Sequence, residues 1–387
     1  MIPQISRKLA SLPPYPFAEI DKKKKKAIAE GKQIISFGVG DPDLPTPSHI
    51  IEASQKAMAQ PKHHQYPFGA GLIEFREAVA SWYQKRFQVQ LDPQKEIHAC
   101  IGSKDGIAHF HFAYVNPQDG VLIPDPGYPV YNSSTIFTDG KPYFMPLKKE
   151  NNFLPDLTQI PLSVLSQTKI LFLNSPNNPT SSIMDENYFK QAIALATKYN
   201  FIIAHDAAYS EIYFEQPPIS FLSVPGAKEV GVEFHSCSKT YNMTGWRIAW
   251  ICGNSEVVAA LGKVKDNFDS GVFEAIQMAG VAALTSSQDC VEEMRKIYRE
   301  RRDILVPALQ KLGWKVNLPP ASFYVWAENP KGYTSAQVVE KLIEETSIVI
   351  TPGNAFGKAG EGYVRFALTV PKEKIAIAIE RLSKIKW

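Results

Sequence analysis

The segment SCSKTYNMTGWR places a lysine beside hydroxyl side chains and ends at an arginine. Lys239 directly follows Ser238, with Ser236 shortly before it and Arg247 after it. A lysine held in such a site is able to lose its proton and form a Schiff base with a carbonyl compound. The alternative is an ordinary surface lysine, and this segment alone does not decide between the two.

An aspartate and a glycine-serine-lysine run add groups that bind charged ligands. Asp206 directly follows the apolar run FIIAH, so its carboxylate needs a partner. A protonated ring nitrogen and a helix N-terminus are the two alternatives. Gly102, Ser103 and Lys104 precede the helix-like run IAHFHFAYV. Backbone N–H groups and a hydroxyl at that position either bind an anion such as phosphate or form an ordinary N-cap.

Two histidines in that helical run, His109 and His111, raise the question of a metal site. Residues two positions apart point in different directions on a helix, and we expect no carboxylate ligand beside them. The sequence therefore predicts no bound metal.

Short apolar runs alternate with helical patterns from about residue 48 onward. The runs GVLIPDP, KILFLNSP, FIIAHDAAY and WRIAWICG resemble buried parallel strands whose two faces are covered by helices. Apolar residues at helical spacing mark HIIEASQKAMAQ, GLIEFREAVASWYQKRF and DENYFKQAIALATKYN. The pattern predicts a doubly wound α/β domain, in which ligands bind beyond the carboxyl ends of the strands. We therefore expect the polar residues that follow these strands to lie together.

The pattern changes after about residue 285. A long charged helix, CVEEMRKIYRERRDILVPALQKLG, precedes short strand-like runs and the helix SAQVVEKLIEET, which indicates an α+β arrangement. The run QIISFGVGD near the start is predicted to be a strand that joins the two regions. We predict a large domain over residues 46–284 and a small domain formed by residues 1–45 and 285–387.

Composition and charge exclude other classes of protein. A chain of 387 residues, 44% apolar and 21% charged, is long enough for two or three globular domains. The net charge of +3 predicts neither a nucleic acid nor a membrane surface as a partner, and no apolar run approaches the ~18 residues of a membrane span. The basic run Lys22–Lys26 is predicted to be the solvated face of a short helix. Four widely spaced cysteines indicate buried thiols in a reducing cytoplasm.

Taken together, these groups are the parts that hold pyridoxal phosphate: phosphate donors, an imine-forming lysine, an acid for a pyridine nitrogen and an aromatic ring in PDPGYPVY. SCSKTYNMTGWRIAW is similar to the lysine signature of class I/II aminotransferases of the fold-type I family, which depend on this cofactor. Five further strings match the same family in the same order along the chain: GVGDPDLPTP, PDPGYPVY, NSPNNPT, DAAY and YVRFAL. The resemblance implies a large, mainly parallel sheet domain with a smaller α+β domain.

The resemblance also implies a role for individual residues. Lys239 would carry the cofactor and then move the substrate's proton, and Asp206 would pair with the pyridinium nitrogen. Arg365 and Gly40 would bind the substrate α-carboxylate. The other cofactor contacts implied are Tyr209 and Asn178 at the ring hydroxyl, Tyr128 on the ring face, and Ser103, the Lys104 backbone, Ser236, Ser238 and Arg247 at the phosphate. Tyr66 would reach the phosphate of a partner subunit, which predicts a homodimer.

Two positions depart from the family pattern. Ser181 stands where most members have glycine after NNPT, and Ala249 stands where they usually have glycine after the arginine of the lysine signature. Neither position carries one of the implied roles, so we expect neither to affect the chemistry.

The opening segment LPPYPFAEIDKKKK resembles that of LL-diaminopimelate aminotransferases, in which a tyrosine matching Tyr15 closes over the substrate. Lys104 in GSKDGI and the run DSGVFEAIQ are similar to the same enzymes. The resemblance implies transfer of an amino group from LL-2,6-diaminopimelate to 2-oxoglutarate, giving tetrahydrodipicolinate and glutamate. The substrates would thus be an amino acid and a 2-oxo acid.

Other functions remain open at this point. The same strings occur in aminotransferases that act on aspartate, alanine or aromatic amino acids, and a lyase that uses the same cofactor shares the scaffold. A transcription regulator built on this fold would need a helix-turn-helix module before the ISFGVGD strand. Only about 35 residues precede that strand, so we expect no such module.

Overall fold

A seven-stranded sheet forms the centre of the computed structural model, which describes residues 2–13, 22, 24–26 and 28–387. Its strand order is β2-β8-β7-β6-β5-β3-β4. The strands of the described chain are β1 (Ile35–Ser36), β2 (Ile97–Cys100), β3 (Gly120–Asp125), β4 (Lys141–Pro146), β5 (Thr168–Asn174), β6 (Ile202–Asp206), β7 (Gly231–Ser236), β8 (Ala249–Gly253), β9 (Tyr324–Glu328), β10 (Ile348–Val349), β11 (Thr351–Pro352) and β12 (Tyr363–Ala367).

Helices cover both faces of this sheet, as the sequence predicts. Leu171 and Leu173 of β5 belong to the hydrophobic cluster on one face, and Ile170 and Phe172 belong to the cluster on the other. Because successive side chains of a strand point to opposite faces, a strand covered on both sides is an unbroken apolar run. The main helices are α1 (Arg7–Ser11), α2 (Ser48–Met58), α3 (Ile73–Phe87), α4 (Ser103–Tyr114), α5 (Val130–Phe137), α6 (Leu162–Leu165), α7 (Glu186–Tyr199), α8 (Ala227–Val230), α9 (Cys237–Thr240), α10 (Ser255–Asp266), α11 (Glu274–Thr285), α12 (Asp289–Lys311), α13 (Ser335–Thr346) and α14 (Lys372–Leu382).

The prediction that WRIAWICG is a parallel strand is wrong in direction. Strands β4, β3, β5, β6 and β7 are parallel to one another, but β8 is antiparallel to both β7 and β2. All five residues of β8 are buried. A strand buried on both faces has the same apolar pattern whichever way it runs, so the pattern did not reveal its direction.

Smaller sheets form a second layer of structure. Strands β11, β12 and β9 form an antiparallel sheet, and β1 pairs in parallel with β10. Their apolar side chains share a hydrophobic cluster with α12, α13 and α14. That cluster also contains Tyr209 and Ile212, which the sequence assigns to the large domain. The division at residues 46 and 285 stays a prediction.

The cysteines of the chain are free thiols that differ in burial. Cys100, Cys237 and Cys252 are buried free thiols, whereas Cys290 is half-buried. Burial raises the pKa of Cys100 and of Cys237 to about 12. Among the described residues no helix has the length and apolar content needed to cross a bilayer.

Candidate active site

A cavity of about 280 Å³ lies at the carboxyl ends of β5, β6 and β7. It is also lined by residues of the loop after β1 and of β9 and β12, so both regions of the chain contribute to it. Twelve residues that the sequence predicts for the site line this cavity: Gly40, Ser103, Lys104, Tyr128, Asn178, Asp206, Tyr209, Ser236, Ser238, Lys239, Arg247 and Arg365.

Lys239 lies in the short helix α9, which begins directly after β7. Its first turn is fixed because the Oγ of Ser236 accepts a hydrogen bond from the Ser238 N–H at 3.0 Å. The Nζ of Lys239 donates to the carbonyl oxygen of Gly40 at 2.8 Å. Burial, with the nearby charges of Arg365 and Arg247, lowers the pKa of Lys239 to about 8, although Asp41 opposes this. A substantial fraction of this amine is therefore neutral, and hence nucleophilic, near physiological pH.

Asp206 is the last residue of β6 and is buried. Its Oδ2 accepts a hydrogen bond from the Tyr131 hydroxyl at 2.7 Å, and its Oδ1 accepts one from the Ala208 N–H at 3.3 Å. Burial raises the pKa of Asp206 in spite of these two hydrogen bonds. A cationic N–H in the cavity would stabilise the ionised carboxylate, which fits a pyridinium better than a helix N-cap. Tyr131 was not predicted, although it lies in the same PDPGYPVY string as Tyr128.

Arg365 is buried on β12 and is held from several sides. Its Nη1 donates to the Oδ1 of Asn178 at 2.9 Å, and its Nη2 donates to the carbonyl oxygen of Gly38 at 2.8 Å. The guanidinium carbon lies 4.1 Å from the centre of the Tyr324 ring. Burial lowers the pKa of Arg365, but a guanidinium stays charged in proteins. A fixed cation of this shape binds a carboxylate through two parallel hydrogen bonds.

Tyr324 is a site residue that sequence reasoning missed. Its hydroxyl lies 2.9 Å from that of Tyr209. A Cβ atom on Gly40 would lie 2.1 Å from the Tyr324 hydroxyl oxygen, so only glycine fits opposite this ring. Tyr324 belongs to the apolar run of β9, and nothing in that run distinguishes it from a core tyrosine.

The N-terminus of α4 and Arg247 form a cationic edge of the cavity. Gly102 precedes α4 with φ of +82°, and a Cβ atom there would lie 2.0 Å from Nη2 of Arg247. Partial burial and the charge of Arg247 lower the pKa of Lys104. Two neighbouring cations and the N–H groups of a helix start attract an anion such as phosphate.

Comparison with known proteins shows the family of this chain. The family model described as aminotransferase class I and II matches residues 32–382. The chain belongs to this family. It is 54% identical over 385 residues to the LL-diaminopimelate aminotransferase of Aquifex aeolicus, covering 99% of each chain. The Moorella thermoacetica enzyme of the same name is 51% identical over 384 residues, covering 99% of this chain and 98% of the relative.

Solved structures of related sequence, among them an aminotransferase from Staphylococcus aureus at 34% identity and a TM-score of 0.92 that covers 98% of each chain, have the same fold. The chain matches substrate-bound BacF from Bacillus subtilis with a TM-score of 0.95 and 37% sequence identity, covering 99% of this chain and 98% of that one. The fold-type I architecture predicted from the sequence is thus confirmed. Class I and II aminotransferases use pyridoxal phosphate, and the cavity offers a lysine of lowered pKa, a buried carboxylate and a cationic helix terminus for it.

Of the predicted site residues that the structure describes, Tyr66 does not line the cavity. Tyr66 has 73% of its surface exposed and packs beside the equally exposed Phe68, with ring centroids 5.5 Å apart. Its predicted role concerns a partner subunit, so this position in one chain leaves that role a prediction. Tyr15 lies outside the described residues.

The expectation that no carboxylate lies beside His109 is wrong. The Oδ1 of Asp105, one helical turn earlier, lies 2.9 Å from its Nδ1, and Asp269 lies 3.6 Å away. The ammonium group of Lys265 contacts both carboxylates, at 2.6 and 2.7 Å. Lys265 therefore offsets part of the negative charge of these two acids from within the chain. Burial tends to raise the pKa of Asp105, but the hydrogen bond from His109 and the charge of Lys265 lower it to about 2.

Proposed function

We propose that the protein is an LL-diaminopimelate aminotransferase that uses 2-oxoglutarate as the amino-group acceptor. The observation that carries the proposal is the identity of 50 to 54% with several enzymes of that name, over at least 98% of this chain. The products are then tetrahydrodipicolinate and glutamate, which places the reaction in lysine and cell-wall precursor synthesis. The buried free thiols of this chain support a reducing, cytoplasmic location.

The residues around the cavity divide the work of transamination. Arg365 binds the substrate α-carboxylate, and this fixes the α-carbon with respect to the other groups of the site. Bound pyridoxal phosphate supplies a ring that accepts electrons from the substrate. Lys239 would carry the cofactor, and its amine would take up the proton of the substrate α-carbon and return it.

The other cavity residues hold the cofactor in this proposal. Asp206 keeps the ring nitrogen protonated, and Tyr131 holds the Asp206 carboxylate in place. Tyr209 and Asn178 bind the ring hydroxyl, and Tyr128 packs on the ring. Ser103, the Lys104 backbone, Ser236, Ser238 and Arg247 bind the phosphate.

The substrate is tested by comparing kcat/KM for five amino acids with 2-oxoglutarate as acceptor. We expect LL-diaminopimelate to exceed meso-diaminopimelate, aspartate, alanine and tyrosine by about tenfold or more, because polar groups built for its distal ammonium and carboxylate lose their partners with other substrates. The meso isomer has an inverted distal centre and presents those two groups in the wrong positions. A clear preference for aspartate or tyrosine would contradict the substrate while leaving the aminotransferase activity intact.

Two variants separate the recognition of the two ends of the substrate. Arg365→Lys weakens binding of all five amino acids together, because lysine does not form the two parallel hydrogen bonds of a guanidinium. Tyr15→Phe lowers kcat/KM for LL-diaminopimelate more than for aspartate, since Tyr15 matches a tyrosine of the diaminopimelate enzymes. Equal losses for both substrates in Tyr15→Phe would remove Tyr15 from the specificity site.

A homodimer is part of the proposal, because Tyr66 is expected to complete the phosphate site of a second subunit. The exposed pair of Tyr66 and Phe68 supports it, since a partner subunit would remove these rings from water. We expect Lys239→Ala and Tyr66→Ala subunits, co-expressed with different tags, to regain activity as mixed dimers. In such a dimer one site has both an intact lysine and an intact tyrosine.

The control for the mixed dimer is each variant purified alone, which lacks an intact site. Sedimentation at the assay concentration should give the mass of a dimer. A fully active monomer, or a mixed dimer no more active than the two parents, would contradict the shared site.

A further inference from the structure

Two buried serines adopt a backbone conformation that L-amino acids rarely take. Ser181 has φ of +64° and Ser322 has φ of +57°, and neither side chain is exposed to solvent. Both values lie in the left-handed region, which a Cβ atom disfavours. A strained residue persists where its side chain makes contacts that outweigh the strain.

The two hydroxyl groups form a closed ring of hydrogen bonds with the backbone N–H and C=O groups of Tyr324. The Tyr324 N–H donates to Oγ of Ser322 at 3.2 Å, and the Ser181 hydroxyl donates to the Tyr324 carbonyl oxygen at 2.8 Å. The two Oγ atoms lie 2.6 Å apart. Because a hydroxyl has one proton, and that of Ser181 is used at the carbonyl, Ser322 must donate to Ser181. Each hydroxyl thus donates once and accepts once.

This ring fixes the free edge of β9. Tyr324 pairs with Ala367 of β12 on one side, but the Ala367 N–H donates to the carbonyl oxygen of Phe37. The backbone N–H and C=O groups of Tyr324 instead bond to the two serine hydroxyls. A buried N–H or C=O group without a hydrogen-bond partner costs free energy. Removal of either hydroxyl would leave such a group on the Tyr324 backbone, so we expect Tyr324 to shift its position.

A shift of Tyr324 would disturb the carboxylate-binding side of the cavity. Its ring lies 4.1 Å from the guanidinium carbon of Arg365, and its hydroxyl lies 2.9 Å from that of Tyr209. The loop that contains Ser181 also contains Asn178, which accepts a hydrogen bond from Arg365. One short loop therefore holds both the guanidinium and the aromatic ring that packs against it.

We propose that Ser181 and Ser322 are positioning residues that fix Tyr324 and, through its ring, the guanidinium of Arg365 in the geometry that binds the substrate carboxylate. The inference rests on the carboxylate-binding role proposed above for Arg365. It assigns a role to Ser181, a position that the sequence comparison with the family gave no reason to include in the site.

The test uses Ser181→Ala, Ser322→Ala and the double variant in the cofactor-bound enzyme. Alanine keeps the Cβ atom and removes only the hydroxyl. We expect each single variant to raise KM for both the amino acid and 2-oxoglutarate about three- to tenfold, with kcat within twofold of wild type, because ground-state and transition-state binding weaken together. The double variant should be no worse than the weaker-binding single variant, since either change opens the same ring.

A binding measurement supplies a readout other than turnover. Titration with glutarate, a dicarboxylate that has no amino group to transfer, followed by the cofactor absorbance should give a dissociation constant that rises by the same factor. Ser54→Ala is the matched control, because Ser54 is a buried serine of α2 whose Oγ lies 3.8 Å from Sδ of Met58 and not beside the site. We expect wild-type KM and glutarate binding in this control.

The outcomes distinguish this inference from the proposal beneath it. If Arg365→Lys leaves KM unchanged, the carboxylate site itself is wrong. If Arg365→Lys raises KM but both serine variants keep wild-type KM and glutarate binding, or if their effects simply add, the positioning role is overturned alone. Ser181→Gly guards against misfolding, because glycine adopts the backbone conformation without strain. A folded Ser181→Gly enzyme with wild-type KM would also overturn the role.

Discussion

Replacing Lys239 by alanine is expected to abolish transamination, with kcat lowered on the order of 10⁴-fold or more. The variant loses the amine that carries the cofactor and the base that moves the α-proton, and no other cavity group combines the two roles in our proposal. The measurement is glutamate formation from LL-diaminopimelate and 2-oxoglutarate. Borohydride reduction followed by peptide mapping should place the cofactor label on Lys239 in the wild type.

The control variant is Lys190→Ala. Lys190 lies on α7, is exposed and pairs with Glu186, so its loss should leave both the activity and the label unchanged. A cofactor label on any other lysine of the wild type, or appreciable turnover in Lys239→Ala, would remove Lys239 from its assigned role.

The lowered pKa of Lys239 gives this result a pH signature in the cofactor-free wild type. The neutral amine is the nucleophile, and its fraction rises as the pH passes through the pKa of about 8. The rate of reaction with excess pyridoxal phosphate should therefore rise up to about pH 9 and then level off. A rate that continues to rise towards pH 10 would show that this lysine retains its ordinary pKa.

Replacing Asp206 by asparagine should lower kcat about 10²- to 10³-fold while the cofactor stays bound. Asparagine has the same shape, but it has no charge with which to keep the ring nitrogen protonated. The measurements are kcat, the dissociation constant of the cofactor and the midpoint of thermal unfolding. We expect only kcat to change strongly.

The matched variant for Asp206 is Tyr131→Phe, which keeps the carboxylate and removes the 2.7 Å hydrogen bond to it. Its loss of kcat should be smaller, because the charge that faces the ring nitrogen is still present. Near-normal turnover in Asp206→Asn would exclude this carboxylate from the mechanism, and a larger loss in Tyr131→Phe would assign the main role to the tyrosine.

The sequence predicted those cavity residues that lie at the end of a strand or directly after it. Asp206 ends β6, Lys239 follows β7, and Ser103 begins the helix after β2. Such positions lie together beyond the carboxyl ends of the strands of an open sheet, so the sequence alone predicted a common site for them.

The missing residues are those whose role depends on contacts between distant parts of the chain. Tyr324 reaches Tyr209 across 115 residues of sequence, and Lys265 reaches Asp105 across 160. Neither contact leaves a local pattern, because a tyrosine in a strand and a lysine in a helix are common in any fold. Ser181 is a different case, since its departure from the family pattern was visible but its left-handed backbone and buried partners were not.

The antiparallel direction of β8 brings Lys239 and Arg247 to the same end of the sheet. Ser236, at the end of β7, pairs with Ala249, at the beginning of β8. The segment between them therefore leaves and re-enters the sheet at the same end of the strands. If β8 ran parallel to β7, it would begin at the opposite end of the strands. Arg247 would then lie roughly 16 Å from its present position, given about 3.3 Å per residue over the strand. A single reversal of the chain thus brings the Lys239 amine and the Arg247 guanidinium into one cavity.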